Sequence, residues 1–107
     1  MVFVTKWDEA SRGPLSEAAI RAAHVPSNRH RVSPYNYFAG EVRHGIFGRA
    51  ETFYILEGKC RLEFPELTVE LEQGDVAELP AGTHSLKVLG EGDLKAVRVW
   101  HLPFEVP

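Results

Sequence analysis

The chain has 107 residues, 44% of them apolar and 25% charged, the make-up of one soluble globular domain rather than a disordered tail, a collagen-like repeat or a coiled coil. Fifteen acidic against twelve basic residues give a net charge of -3; Arg29-His30-Arg31 is the only basic cluster, so no electrostatic footprint for nucleic acid is present. No uncharged apolar stretch approaches the roughly 18 residues of a membrane span, the opening residues lack a signal peptide's basic region and longer apolar run, and the lone Cys60 excludes an internal disulfide; the expectation is a cytoplasmic protein with no membrane partner.

In chain order, the first predicted element is a helix. Ser16-Glu17-Ala18-Ala19-Ile20-Arg21-Ala22-Ala23 is alanine-rich, with Ser16 placed to cap it after Pro14 and Pro26 to stop it. Pro26, Pro34 and the polar residues between them predict an irregular, extended arm, followed by an edge strand at Tyr35-Asn36-Tyr37-Phe38. Residues 1–36 therefore read as an arm with one short helix, and 37–107 as the β-rich body, in a single domain overall.

From residue 53 onward, turn signals recur every eight or nine residues: Glu57-Gly58-Lys59, Pro65-Glu66, Gln73-Gly74-Asp75, Pro80-Ala81-Gly82 and Gly90-Glu91-Gly92-Asp93. Short apolar runs at that cadence mark an all-β sandwich or barrel, since βαβ units need a helix-length segment between strands. Leu62 and Phe64 alternate with Arg61 and Glu63, and Val69 and Leu71 with Thr68, Glu70 and Glu72, which predicts half-buried strands. Phe53-Tyr54-Ile55-Leu56 and Val97-Arg98-Val99-Trp100 are apolar on both faces. Such strands need an outer cover, and a second subunit in a homodimer is the expected one.

Residues 51 to 90 carry two half-motifs. Gly74-Asp75-Val76-Ala77-Glu78-Leu79-Pro80-Ala81-Gly82-Thr83-His84 follows the pattern Gly, five residues, Pro-x-Gly and then His, one residue short in the loop before His84. Glu51-Thr52-Phe53-Tyr54-Ile55-Leu56-Glu57-Gly58 follows Glu, six residues, Gly without a gap. In these stretches the chain resembles the cupin superfamily, which implies a double-stranded β-barrel of jelly-roll type, here with one short N-terminal helix. Many cupins bind Fe, Mn, Ni or Zn inside the barrel through two His and a Glu of the first motif and the later His. The resemblance maps the Glu to Glu51 and the later His to His84. At the commonest spacing, however, the paired His positions six and four residues before Glu51 hold Gly45 and Phe47. A longer spacing found in some relatives would use His44, but its second position is Ile46. His44 also has the wrong parity for an unbroken strand, so only a bulge at Gly45 or Gly48 would turn it inward. The candidate metal ligands are therefore His84, Glu51 and His44, against the three or four that a catalytic ion normally takes. The cofactor is left open, with one divalent metal ion as the candidate.

Each candidate has a bland reading beside its functional one. An inward Glu51 among Phe47, Phe53 and Ile55 would be a ligand or general base; otherwise it pairs with Arg49 two residues away. Arg49 would clamp a ligand's carboxylate or phosphate if inward, and otherwise sits at a strand end on the surface. His84 is a site residue, or a mouth-facing imidazole bonded to a loop carbonyl. Phe47, Phe53 and Trp100 line a ligand cavity or, by default, fill the barrel. Tyr35 and Tyr37 close the mouth or belong to an edge strand. Cys60 reads as an inert strand thiol, and His30 and His101 as solvated or loop-bound.

Three functions follow. The first is a small-molecule binder holding an apolar or anionic ligand beside Glu51, His84, Arg49, Phe47 and Phe53. The second is a metal-dependent enzyme of oxygenase, isomerase or lyase type. The third is an interaction protein whose barrel is solid and whose two-sided strands serve dimerisation.

Overall fold

A computed structural model describes residues 1–102 of the chain. The predicted helix forms as α2 (Glu17–Ala23), with the Ser16 side chain accepting from the Ala19 N–H and the chain leaving the helix at His24. Two elements that the composition did not signal precede it: β1 (Phe3–Lys6) and the one-turn α1 (Glu9–Arg12), capped by Asp8. The expected arm is irregular only over a short 3₁₀ turn at Ser27–Arg29. It becomes β2 at His30–Tyr37, an edge strand that tolerates Pro34 because its outer backbone groups need no ladder partner. Both β1 and β2 pair within the main sheet, so the first 36 residues supply two of its strands.

The remaining strands are β3 (Val42–Gly48), β4 (Glu51–Glu57), β5 (Lys59–Glu63), β6 (Thr68–Glu72), β7 (Asp75–Leu79), β8 (Gly82–Leu89) and β9 (Leu94–His101). Each of the five turn signals falls between two of them. Gly58, in the β4–β5 turn, has φ +93°, and a Cβ there would stand 2.5 Å from the Asp93 carbonyl oxygen, so the position requires glycine. The strands form two antiparallel sheets, β1-β7-β4-β9-β2 and β3-β8-β5-β6, stacked face to face in the jelly-roll manner, with no hydrogen-bonded closure into one barrel among the described residues.

The main core lies between the sheets: Phe53, Ile55, Ala77, Leu79, Leu94 and Ala96 from the first meet Cys60, Leu62, Leu71, Leu86 and Val88 from the second. A smaller core lies on the outer face of the five-stranded sheet, where Ile20 of α2, fully buried, packs with Trp7 against Tyr54, Val97 and Val99. Within the chain, its own helix and Trp7 segment pack on the outer face of the two-sided strands. Among the described residues no helix is long and apolar enough to cross a membrane.

Candidate functional site

The site is built at one end of the space between the sheets. Glu51 begins β4 and pairs in register with Trp100 of β9, while Phe53 pairs with Arg98. Glu51, Phe53, Arg98 and Trp100 therefore share the inward face, with Arg98 diagonal to Glu51 and within side-chain reach. Arg98 Nη1 donates to Glu51 Oε1 in a buried ion pair. The Trp100 indole N–H donates to Glu51 Oε2 at 2.8 Å, and the guanidinium lies over the Phe53 ring, its carbon 4.3 Å from the centroid. Glu51 and Arg98 are 3% and 4% exposed.

His84 enters from the other sheet. It shares its parity with Leu86 and Val88 on β8, is 5% exposed, and stacks on Phe64 with ring centroids 5.1 Å apart. Its Nε2 lies 3.5 Å from Arg98 Nη2; a guanidinium has no lone pair to offer, so this nitrogen is the acceptor and the ring is neutral. Burial, and then the positive charge of Arg98, push the imidazole down to about 4. Glu51 and His84 thus do come together inside the protein, but through Arg98.

Above this floor is an open cavity of about 410 Å³, lined by Tyr35 and Tyr37 of β2, Ile46 and Phe47 of β3, and Glu51, Arg98 and Trp100. Tyr35 and Tyr37 stack with centroids 5.9 Å apart, and burial raises the Tyr37 hydroxyl above its ordinary range against the opposing charge of Arg98. Both tyrosines belong to the edge strand and to the mouth at once.

Several sequence expectations change here. Arg49 is exposed in the turn between β3 and β4 and does not line the cavity; Glu51 takes Arg98 instead. The anticipated bulge exists, between Arg43 and Ile46 with Gly45 at φ +65°, yet His44 within it stays exposed and outside the cavity. Phe47 is 79% exposed at the rim, neither packing the interior nor buried in a pocket, whereas Phe53 is core and supports the guanidinium. Cys60 is a buried thiol that burial pushes up to about 12, consistent with an inert role. Arg98 was hidden in what read as an apolar run. The signal was its parity: Leu94, Ala96, Arg98 and Trp100 alternate onto one face, and an inward arginine opposite an inward glutamate is a predictable pair.

The residues present do not fit the metal of the family pattern. Of the four ligand positions, those at 45 and 47 hold a glycine and an exposed phenylalanine, and His44 is exposed and does not line the cavity. The other two, Glu51 and His84, face a fixed cation that holds one carboxylate oxygen while Trp100 holds the other. A metal ion there would sit against the Arg98 charge with two ligands, one already paired.

The EutQ-like cupin domain family matches residues 39–100, more than half of the chain. The chain belongs to that family. Among solved structures, it is similar to a cupin superfamily protein from Desulfitobacterium hafniense at 18% identity and TM-score 0.58, over 95% of this chain and 78% of that one. A protein with a double-stranded β-helix domain from Klebsiella pneumoniae aligns at 16% identity and TM-score 0.60, over 74% and 72% of the two chains. Bacillus subtilis oxalate decarboxylase, which has Mn(II) centres, aligns at 14% identity and TM-score 0.63, over 98% of this chain but 26% of its own length. At these identities the likeness is one of fold. No curated protein sequence matches at a significant level. The cupin described here keeps the Glu and the later His of the pattern and sets an arginine between them.

Proposed function

We propose that this cupin binds a small molecule in the mouth formed by β2, β3 and β9, and that Arg98, not a metal ion, is the cation at its floor. The observation carrying this reading is the buried Glu51–Arg98 pair beneath an open, aromatic-walled cavity. A volume of about 410 Å³ lies within the roughly 300–1,000 Å³ of small-molecule pockets. Glu51 engages one arm of the guanidinium and His84 faces the other, which leaves further N–H donors of Arg98 for a ligand acceptor. Tyr35, Tyr37 and Trp100 offer flat faces beside it. A planar organic acid matches both features: its ring meets the aromatic wall and its carboxylate meets the guanidinium.

The two tryptophans make the test internally controlled. Trp100 lines the cavity, whereas Trp7 donates its indole N–H to the Gly13 carbonyl at 2.8 Å and packs in the outer core. Titrating the ¹⁵N-labelled chain with benzoate, benzamide and acetate should move the Trp100 indole resonance most with benzoate and leave Trp7 in place. Tyr35→Ala, at a partly exposed position, should weaken the benzoate response without unfolding the chain. Shifts confined to Trp7, or no shift with any of the three, would overturn the reading.

A further inference from the structure

Three of the chain's five histidines meet on the far side of the five-stranded sheet, away from the cavity. His24 caps the C-terminus of α2, His30 opens β2, and His101 closes β9 opposite His30 in the ladder. One ring nitrogen from each lies within 4.8 Å of one from each of the others, and the ring centroids are 5.1, 5.3 and 5.7 Å apart.

Each ring is also held by a hydrogen bond on one nitrogen. His30 Nδ1 is 3.0 Å from the Pro26 carbonyl oxygen, which only accepts, so Nδ1 carries the proton and Nε2 the lone pair. Thr52 Oγ1 lies 3.0 Å from both carboxylate oxygens of Glu78, to which its single hydrogen is donated. It therefore accepts from His101 Nε2 at 3.1 Å, leaving the lone pair on His101 Nδ1. His24 Nε2 is 2.7 Å from the Tyr54 hydroxyl; in the tautomer in which that oxygen accepts, the lone pair stays on His24 Nδ1. An imidazole whose one nitrogen is tied to an oxygen while the other keeps its lone pair is the state in which histidine binds metal, and the tie sets tautomer and ring orientation.

We propose that His24, His30 and His101 form a binding site for one divalent transition ion of the zinc type, pinning the end of α2 to the β2–β9 edge. An all-imidazole set favours zinc, nickel or copper over calcium or magnesium, which take oxygen ligands. Zinc–nitrogen bonds of 2.0–2.1 Å place tetrahedral ligands about 3.3 Å apart. The rings need to close by at most about 1.5 Å from their 4.8 Å limit, a movement open to His101 because it is exposed. Three protein ligands leave a fourth position for water or an exogenous donor. The site shares no ligand with Glu51 or His84 and stands independently of the proposed pocket.

The test uses the full chain without an affinity tag, stripped with chelator, titrated with Zn²⁺ by calorimetry and with Co²⁺ by visible absorption. About one equivalent should bind, with the absorption of low-coordinate Co²⁺. His24→Gln, His30→Gln and His101→Gln should each weaken binding by about tenfold or more, and Thr52→Val should weaken it through the lost orienting bond. Exposed His101 gives the variant least able to disturb the fold, which circular dichroism checks. His84→Gln should leave the titration unchanged. Zinc binding that survives all three histidine variants, that disappears with His84→Gln, or that is absent from the parent chain would overturn the proposal.

Discussion

Removing the cation from the buried pair isolates what holds the proposed pocket together. Arg98→Met keeps much of the side chain's length but leaves the Glu51 carboxylate, 3% exposed, with the Trp100 N–H as its hydrogen-bond donor among the described residues. A buried charge stripped of its partner costs about 3–5 kcal/mol, a large share of the roughly 5–15 kcal/mol that stabilises a whole domain. At about 4–8 °C per kcal/mol in a small domain, the melting temperature should fall by at least about 12 °C. Adding Glu51→Gln removes the stranded charge and keeps an oxygen for Trp100, so the double variant should recover at least about 2 kcal/mol of that loss. Urea unfolding followed by circular dichroism measures both, compared at equal m so that the midpoint reports stability. The reasoning is refuted if Arg98→Met loses less than about 1 kcal/mol, the ordinary cost of a point substitution, or if the double variant is no more stable than the single one.

The remaining predictions concern the elements around this pair. The buried His84 imidazole titrates at about 4 against its ordinary 6.5, so the unfolded chain holds more protons between those values; stability is full above about pH 6.5, declines by about 3 kcal/mol toward pH 4 and then levels off. His24 is pushed down to about 4 chiefly by burial and falls in the same window, so the measurement is the difference in pH slope between the parent and His84→Gln, and an identical slope would assign the loss elsewhere. Gly58→Ala should cost about 1–3 kcal/mol through positive φ, compounded by the 2.5 Å approach to the Asp93 carbonyl, and should exceed Gly40→Ala, where φ is +74° but a Cβ meets nothing within 4 Å. Equal losses in thermal melts would remove the steric part of that argument. Ile20→Ala should cost about 2–5 kcal/mol, because Ile20 is fully buried on the outer sheet face; a loss below about 1 kcal/mol would mean that α2 is not the cover for that face.

The pattern of residues determined the strands from residue 53 onward, the five turns between them and the α2 helix, because those depend on local backbone chemistry: alternation at period two, glycine at positive φ, and a serine capping an alanine-rich turn. It offered Glu51 and His84 as inward candidates beside a paired or mouth-facing role, and the folded chain buries both. Strand pairing decided the rest. Arg98 reaches Glu51 only because β9 lies beside β4 in a register that sets Phe53 against Arg98, and nothing within either strand fixes that register. Likewise, α2 packs on the outer sheet face because the chain folds back over its own sheet. The same return brings His24 to His30 and His101, residues 71 positions apart that meet through the β2–β9 ladder. Local propensity acts along the chain, whereas charge pairing and ligand convergence act across it, and distances across the chain are set by sheet order and packing.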